Sequence, residues 1–203
     1  MKDSFKTIKE SARAEIKIQR SKFIASAFPC QSQDEAESEI EKISDEFHDA
    51  SHNCYGYRIY PSEGLDIFRY SDAGEPSGTA GRPIYDSIVS AGLFNTGIVV
   101  TRYFGGIKLG TGGLKRAYRD AARSVLESVK IVEVLLTQEY KVKFPLNLTN
   151  IILRTLSSEG IKVLDSIYTD EGEIIFEVRL SLTEKVEQEL MSATNARIEL
   201  EKI

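Results

Sequence analysis

Eight of the chain's 14 glycines are packed into two short runs, RYSDAGEPSGTAGRP (69–83) and TRYFGGIKLGTGGLKRAYRDAAR (101–123), and both runs carry arginine. Glycine lacks Cβ, so it reaches positive φ and lets another backbone or a ligand come close at little steric cost. Segments this rich in it make poor strands and poor helix interiors. The fold must therefore use them as turns and helix entries, at a surface that meets something.

Regular periodicities surround the runs. Residues 14–29 read as one strand, with Ala14, Ile16 and Ile18 alternating against charged neighbours. Ser32 opens a helix: Ser32 and Glu35 have capping-box spacing, and Ala36, Ile40, Ile43 and Phe47 recur at helical intervals. Strands follow at 53–60 and 66–71, joined by the turn signal Pro-Ser-Glu-Gly at 61–64. Pro83 suits a first helical turn and leads into a short helix at 84–91. The β-prone run GIVVTRYF (97–104) reads as a central strand covered on both faces. A helix at 113–128, projected at 100° per residue, puts Leu114, Ala117, Tyr118, Ala121 and Val125 on one face and Lys115, Arg116, Arg119 and Arg123 on the other.

Beyond residue 133 the texture changes. A strand at 134–144, a helix at 147–159, a strand at 161–169, a turn at 170–173, a strand at 174–182, a helix capped by Thr183 and a strand at 196–200 spell β-α-β-β-α-β, the ferredoxin-like order. We expect an α+β protein of two domains, 1–133 and 134–203, with no Gly/Ser/Pro-rich linker between them.

With 41% hydrophobic residues over 203 positions the chain can bury a proper core. No apolar run approaches the roughly 20 residues of a membrane span, and the first residues show no signal-peptide core, so a soluble cytoplasmic protein is expected. Cys30 and Cys54 are too few for a disulfide framework and read as reduced, packed thiols. Net charge is −5 but unevenly spread: residues 34–49 hold eight acids against one lysine, and 99–123 hold six cations against one aspartate. Such asymmetry steers partners rather than deciding the fold.

The stretch 105–113, GGIKLGTGG, lies between strand and helix, where free amides and the helix dipole favour anions. It is not a Walker A loop, since Thr111 stands where the lysine belongs, and the third glycine of a dinucleotide fingerprint is missing after Gly112. It is either a plain turn or an anion cradle. Lys115 and Arg116 fall in the first turn of the expected helix, opposing its dipole by about 0.3–1 kcal/mol each, which favours the cradle. A second candidate site is the loop holding Asp72, Glu75, Ser77, Thr79 and Arg82: a carboxylate pair with a hydroxyl nucleophile. The plainer reading has Asp72 and Glu75 holding the loop by turn hydrogen bonds and by pairing with Arg82 or Arg102. His48, Asp49, His52 and Cys54, with Cys30, fall short of a zinc site, and no metal or cofactor is expected. Tyr55, Tyr57, Tyr70, Tyr103, Phe104 and Tyr118 include candidates for stacking on unpaired bases, though most belong in the core.

HNCYGYRI (52–59), RYSDAGEPSGTAGRPI (69–84) and VVTRYFGGIKLGTGGLKRAY (99–118) resemble the signatures of the Impact family, in particular its bacterial YigZ-like members. The C-terminal unit resembles their small appended domain. One departure is Ala73, where the family often has a second aspartate before Gly-Glu-Pro. The resemblance implies an N-terminal domain similar to the second domain of ribosomal protein S5 and to domain IV of the ribosomal translocase, and a C-terminal domain similar to that factor's last one. It implies a role in translation, since eukaryotic members compete for an activator of a stress kinase, and it brings no catalytic residues. The expectation is a non-enzymatic protein that binds RNA, the ribosome or a translation factor through Arg102, Gly105, Gly106, Lys108, Gly110, Thr111, Gly112, Gly113, Lys115, Arg116, Arg119 and Arg123. The alternative is a phosphate-handling or hydrolytic enzyme in which the same loop holds a small phosphorylated molecule and Asp72 or Glu75 is the base.

Overall fold

The computed structural model describes residues 3–61 and 66–203. The chain has a mixed α/β fold with antiparallel sheets and divides into two compact units, Phe5–Val134 and Leu135–Ile203, the latter with the first residues through Ser4. Among the described residues no helix is long and apolar enough to cross a membrane.

In the first unit, β1 (Ser4–Ile8) pairs with β7 (Ile131–Leu135). The main sheet contains β2 (Ala12–Ile18), β3 (Ser21–Pro29), β4 (His52–Ile59), β5 (Ile67–Ser71) and β6 (Thr96–Tyr103), in the order β2-β3-β6-β4-β5. As the apolar run predicts, β6 is the middle strand and is buried along nearly its whole length. Its side chains alternate between two cores. Ile98 and Val100 join Ile84 and Ile88 of α2 (Gly81–Ser90) and Ala117, Tyr118 and Val125 of α3 (Gly110–Leu126), while Val99 joins Ile40 and Ile43 of α1 (Gln33–Glu46). Helices α2 and α3 therefore cover one face of the sheet and α1 the other.

The single strand expected at 14–29 is a hairpin of β2 and β3, with Ile18 opposite Ser21. Its two turn residues, Gln19 and Arg20, have φ of 44° and 68°, the conformation of a tight I′-type turn that usually selects Asn or Gly. Neither residue signals a turn, which is why the break is invisible in the sequence. The start of α1 is as predicted: Glu35 N–H donates to Ser32 Oγ at 3.2 Å. The reciprocal bond comes from Gln31 N–H to Glu35 Oε2 at 2.7 Å, one residue earlier than a capping box requires. The turn signal at 61–64 lies outside the described residues except for Pro61.

The second unit has β8 (Thr137–Pro145), α4 (Thr149–Leu156), β9 (Ile161–Tyr168), β10 (Glu171–Arg179), α5 (Thr183–Ala193) and β11 (Glu199–Lys202). The expected β-α-β-β-α-β order is present, and the sheet runs β11-β8-β10-β9, antiparallel throughout. Tyr140, Val142 and Phe144 on β8 and Ile174, Phe176 and Val178 on β10 point to one side, onto Ile152, Leu156, Val186 and Leu190 of the helices. Two expectations are corrected. The turn at 170–173 is shorter, because Glu171 already pairs with Pro145. Thr183 does not cap its helix: its hydroxyl donates backwards to the Leu180 carbonyl at 3.0 Å, in the 3-10 turn Leu180–Leu182.

Candidate functional site

The first glycine run folds around Asp72. Its carboxylate accepts from Gly78 N–H at 2.7 Å and from Ala80 and Gly81 N–H at 2.9 Å each, so it caps α2, whose own N-cap residue Ala80 has no side chain to offer. Burial pulls the Asp72 carboxyl up, but the amides of Gly78, Ala80, Gly81 and Thr79 outweigh it and hold the group below its ordinary value of 3.8. A carboxyl with a lowered folded pKa stabilises at pH above its unfolded value, and that contribution vanishes as pH falls through the folded one. Asp72→Asn should therefore unfold about 1–2 kcal/mol more easily at neutral pH. Its deficit against wild type should shrink as the medium is acidified below about pH 4, a comparison that urea midpoints at the two pH values decide.

Glu75, three residues on, is the point where the motif blocks meet. It is buried, and its Oε1 takes Arg102 Nη1 at 2.5 Å from the second glycine run and the Tyr118 hydroxyl at 2.8 Å from α3. His52, at the head of β4, brings Nε2 to 4.0 Å of the same oxygen, while its Nδ1 contacts the Ala73 carbonyl at 2.9 Å. Arg102 lies between the rings of Phe23 and Phe104, 5.5 and 5.3 Å from their centroids, and reaches Ser21 Oγ at 3.4 Å. Its Nε is the one buried side-chain nitrogen or oxygen among the described residues that lacks a hydrogen-bond partner. Cys54 packs alongside, with Sγ 2.9 Å from the Asp72 carbonyl and 3.4 Å from the Tyr118 oxygen.

The charges in this cluster are settled by burial. Burial pushes the Cys54 thiol up to about 12 and drives the Tyr118 hydroxyl far upward, with the neighbouring Cys54 and Glu75 adding to the latter. Both are neutral at physiological pH, so Cys54 is no thiolate nucleophile. Of the hydroxyls expected beside the carboxylates, Thr79 is buried and donates to the Pro76 carbonyl at 2.6 Å, while Ser77 is exposed. The plainer reading of this loop therefore describes it: Asp72 binds backbone and Glu75 binds Arg102. Arg82 takes no part, since it pairs with Asp86 on α2 at 2.7 Å. His48 sits apart, with Nδ1 3.1 Å from the Asp45 carbonyl.

The second glycine run departs from expectation in two ways. Arg102, expected among the surface cations, is 5% exposed and committed to Glu75. The stretch 105–113 is not all loop: α3 begins at Gly110, so Gly110, Thr111, Gly112 and Gly113 form its first turn. Lys115 and Arg116 consequently lie in the second turn, and the expected conflict with the helix dipole in its first turn does not arise. What remains is the two-faced helix. Leu114, Ala117, Tyr118, Ala121 and Val125 are buried, whereas Lys115, Arg116, Arg119 and Arg123 are exposed. Among the described residues none of these four cations is in an ion pair.

Exposed Lys108 and Gly106 lie in the loop that precedes the helix, with Phe104 49% exposed at its start. Gly105 N–H donates to Ser21 Oγ at 3.2 Å, and a Cβ at Gly105 would overlap the Arg20 carbonyl. The β2–β3 turn thus packs on the loop and carries exposed Arg20 to this surface, a residue that sequence reasoning missed because the turn itself had no signature.

Residues 19–126 match the family described as the Impact N-terminal domain, a stretch that contains every residue of this site. A Bacillus subtilis (strain 168) protein named IMPACT family member YvyE is 43% identical over 133 residues, 66% of this chain and 60% of its own length. The Escherichia coli (strain K12) IMPACT family member YigZ is 34% identical over 112 residues, 55% of each chain. The chain thus spans between about half and two thirds of these relatives. A crystal structure described as a hypothetical protein has the same fold, with a TM-score of 0.71 over 100% of this chain and 98% of that one, at 24% identity.

Proposed function

The chain belongs to the Impact family, and from that premise we propose that it is a non-enzymatic, translation-associated regulator whose α3 surface binds RNA, as free RNA or on the ribosome. The observation that carries this reading is the face of Lys115, Arg116, Arg119 and Arg123, four exposed cations that form no ion pair with any carboxylate among the described residues. Unpaired cations in a row repel one another and gain most from a polyanion, whose counterions they release. Lys108 and Arg20 extend the surface, and Phe104 adds a ring beside it.

No catalytic step is assigned to the glycine-rich loops. Asp72 and Glu75, the two carboxylates that a hydrolytic or phosphate-handling reaction would draw on, are spent on backbone amides and on Arg102. In this reading the first unit is the counterpart of the second domain of ribosomal protein S5. The second unit is ferredoxin-like, supported by its strand order, which counted within the unit is 4-1-3-2. The protein works in the cytoplasm, where its two buried thiols stay reduced.

The test is charge reversal. Lys115→Glu with Arg119→Glu should abolish co-sedimentation with ribosomes and lower RNA affinity by at least about 100-fold. The slope of log affinity against log salt should flatten by about 2. Both side chains are exposed, so the variant should melt with wild type. Unchanged co-sedimentation would end this proposal.

A further inference from the structure

On the sheet face that carries α2 and α3, the edge strand β5 turns two rings toward the helix. Phe68 lies 4.9 Å from Tyr85 of α2 with 27° between the planes, and 6.4 Å from Tyr70 with 12° between the planes. Tyr85 is buried beneath them, while Phe68 is 50% and Tyr70 38% exposed. The Arg82 guanidinium lies 5.8 and 5.9 Å from the Tyr70 and Tyr85 centroids. Its one ion pair among the described residues is the solvent-exposed one with Asp86, of the kind that contributes little and yields readily to another anion.

Single exposed apolar residues need no explanation, but adjacent rings held nearly parallel and half in water do. The strand that carries them is a short edge strand of five residues, with Arg69 between the two rings in sequence and paired with Glu37. We propose that Phe68 and Tyr70, with Arg82, are a stacking platform for the unpaired bases of a single-stranded RNA whose phosphates lie on α3. This rests on the RNA-binding reading of α3 and specifies which RNA it takes.

Three observations favour bases over a protein partner. The exposed centre of the patch is aromatic, whereas a docked amphipathic helix needs a groove for aliphatic anchors. Tyr85 already supports the two rings from below, so their free faces meet a base with little loss of freedom. Arg82 supplies a cation that stacks on a base or takes a phosphate, complementing the polyanion that α3 attracts. Neighbouring packed helices lie about 10 Å apart, so one short oligonucleotide can reach from α3 across α2 to β5.

The experiment uses the full chain, a single-stranded RNA of about 12 nucleotides and the same strand annealed to its complement, titrated over a range of salt. Phe68→Leu and Tyr70→Leu keep apolar bulk but remove the ring, and each should weaken single-strand binding about tenfold. Tyr70→Phe should leave it unchanged, and duplex binding and the salt slope should not move in any of the three. Wild-type tyrosine emission should be quenched by the single strand and not by the duplex, which tests the platform without a substitution. Equal affinity for both RNAs, undisturbed by the leucine variants, overturns the platform and leaves the α3 reading standing. Absence of salt-dependent binding to either RNA overturns both.

Discussion

Arg102→Met should cost the first unit about 3–5 kcal/mol, a large part of what an ordinary domain has. The reason lies in what is left behind. Glu75 and Arg102 are almost fully enclosed, with side chains 4% and 7% exposed. Without the guanidinium, the Glu75 carboxylate keeps, among the described residues, one hydrogen bond on Oε1, from the Tyr118 hydroxyl, with His52 at 4.0 Å. An uncompensated buried charge is far more costly than a missing pair, so Glu75→Leu with Arg102→Met should lose clearly less than the sum of the two single variants. Urea unfolding followed by circular dichroism gives the four corners of that cycle, and amide exchange on β6 assigns the change to this unit. A coupling below about 0.5 kcal/mol would show that the pair is not a unit. Arg82→Gln, which breaks the exposed pair with Asp86, provides the contrast and should change stability by less than about 1 kcal/mol.

The second large effect comes from one glycine among several that look alike. Gly105→Ala should destabilise by about 3 kcal/mol or more, at the upper end of overpacking. The obstacle is backbone against backbone: the new Cβ would meet the Arg20 carbonyl and Ser21 nitrogen, which no side-chain rotation relieves. Gly112→Ala, seven residues later, should do the opposite. It lies in the first turn of α3, has no neighbour within 4 Å of an added Cβ, and gains up to about 1 kcal/mol of helix propensity. Thermal melting of the two variants decides the matter: equal shifts would refute the packing of the β2–β3 turn on this loop.

Those two glycines show where sequence reading ends. Local periodicity located α1, α2, the central strand β6 and the whole β-α-β-β-α-β order, because each depends on neighbours within a few residues. The motif blocks were equally visible, as was the likeness to the Impact family. What could not be read was which glycine meets a backbone, since Gly105 and Gly112 differ only in a hairpin turn some 85 positions away that Gln19 and Arg20 form without a turn residue. Arg102 stood both among the cations of its run and, with Arg82, as an offered partner of Asp72 and Glu75, and only the closing of β4, β6 and α3 around Glu75 decides between these and separates it from Lys115 and Arg119. The start of α3 was misplaced for a related reason: glycines in a first turn give no helical signal, though the core face that followed was read correctly.

The strand order β2-β3-β6-β4-β5 also dictates when this unit can come into being. β2 with β3, and β4 with β5, pair between neighbours in the chain, but within the sheet these two hairpins are joined through β6, which reaches back to place Tyr103 opposite Lys22 and Arg102 opposite His52. β1 waits longer still, for β7, where Lys9 N–H donates to the Lys130 carbonyl at 2.9 Å. Long loop closures precede any reward from such contacts, so folding is slow and late rather than stepwise. A nascent chain that has not yet released Tyr103 holds two hairpins with unfilled inner edges, the state in which strands find wrong partners. The period of greatest exposure to aggregation and to chaperones is therefore the synthesis of the segment from β5 to β6, a stretch that holds the first glycine-rich run and ends just before the glycines of the second.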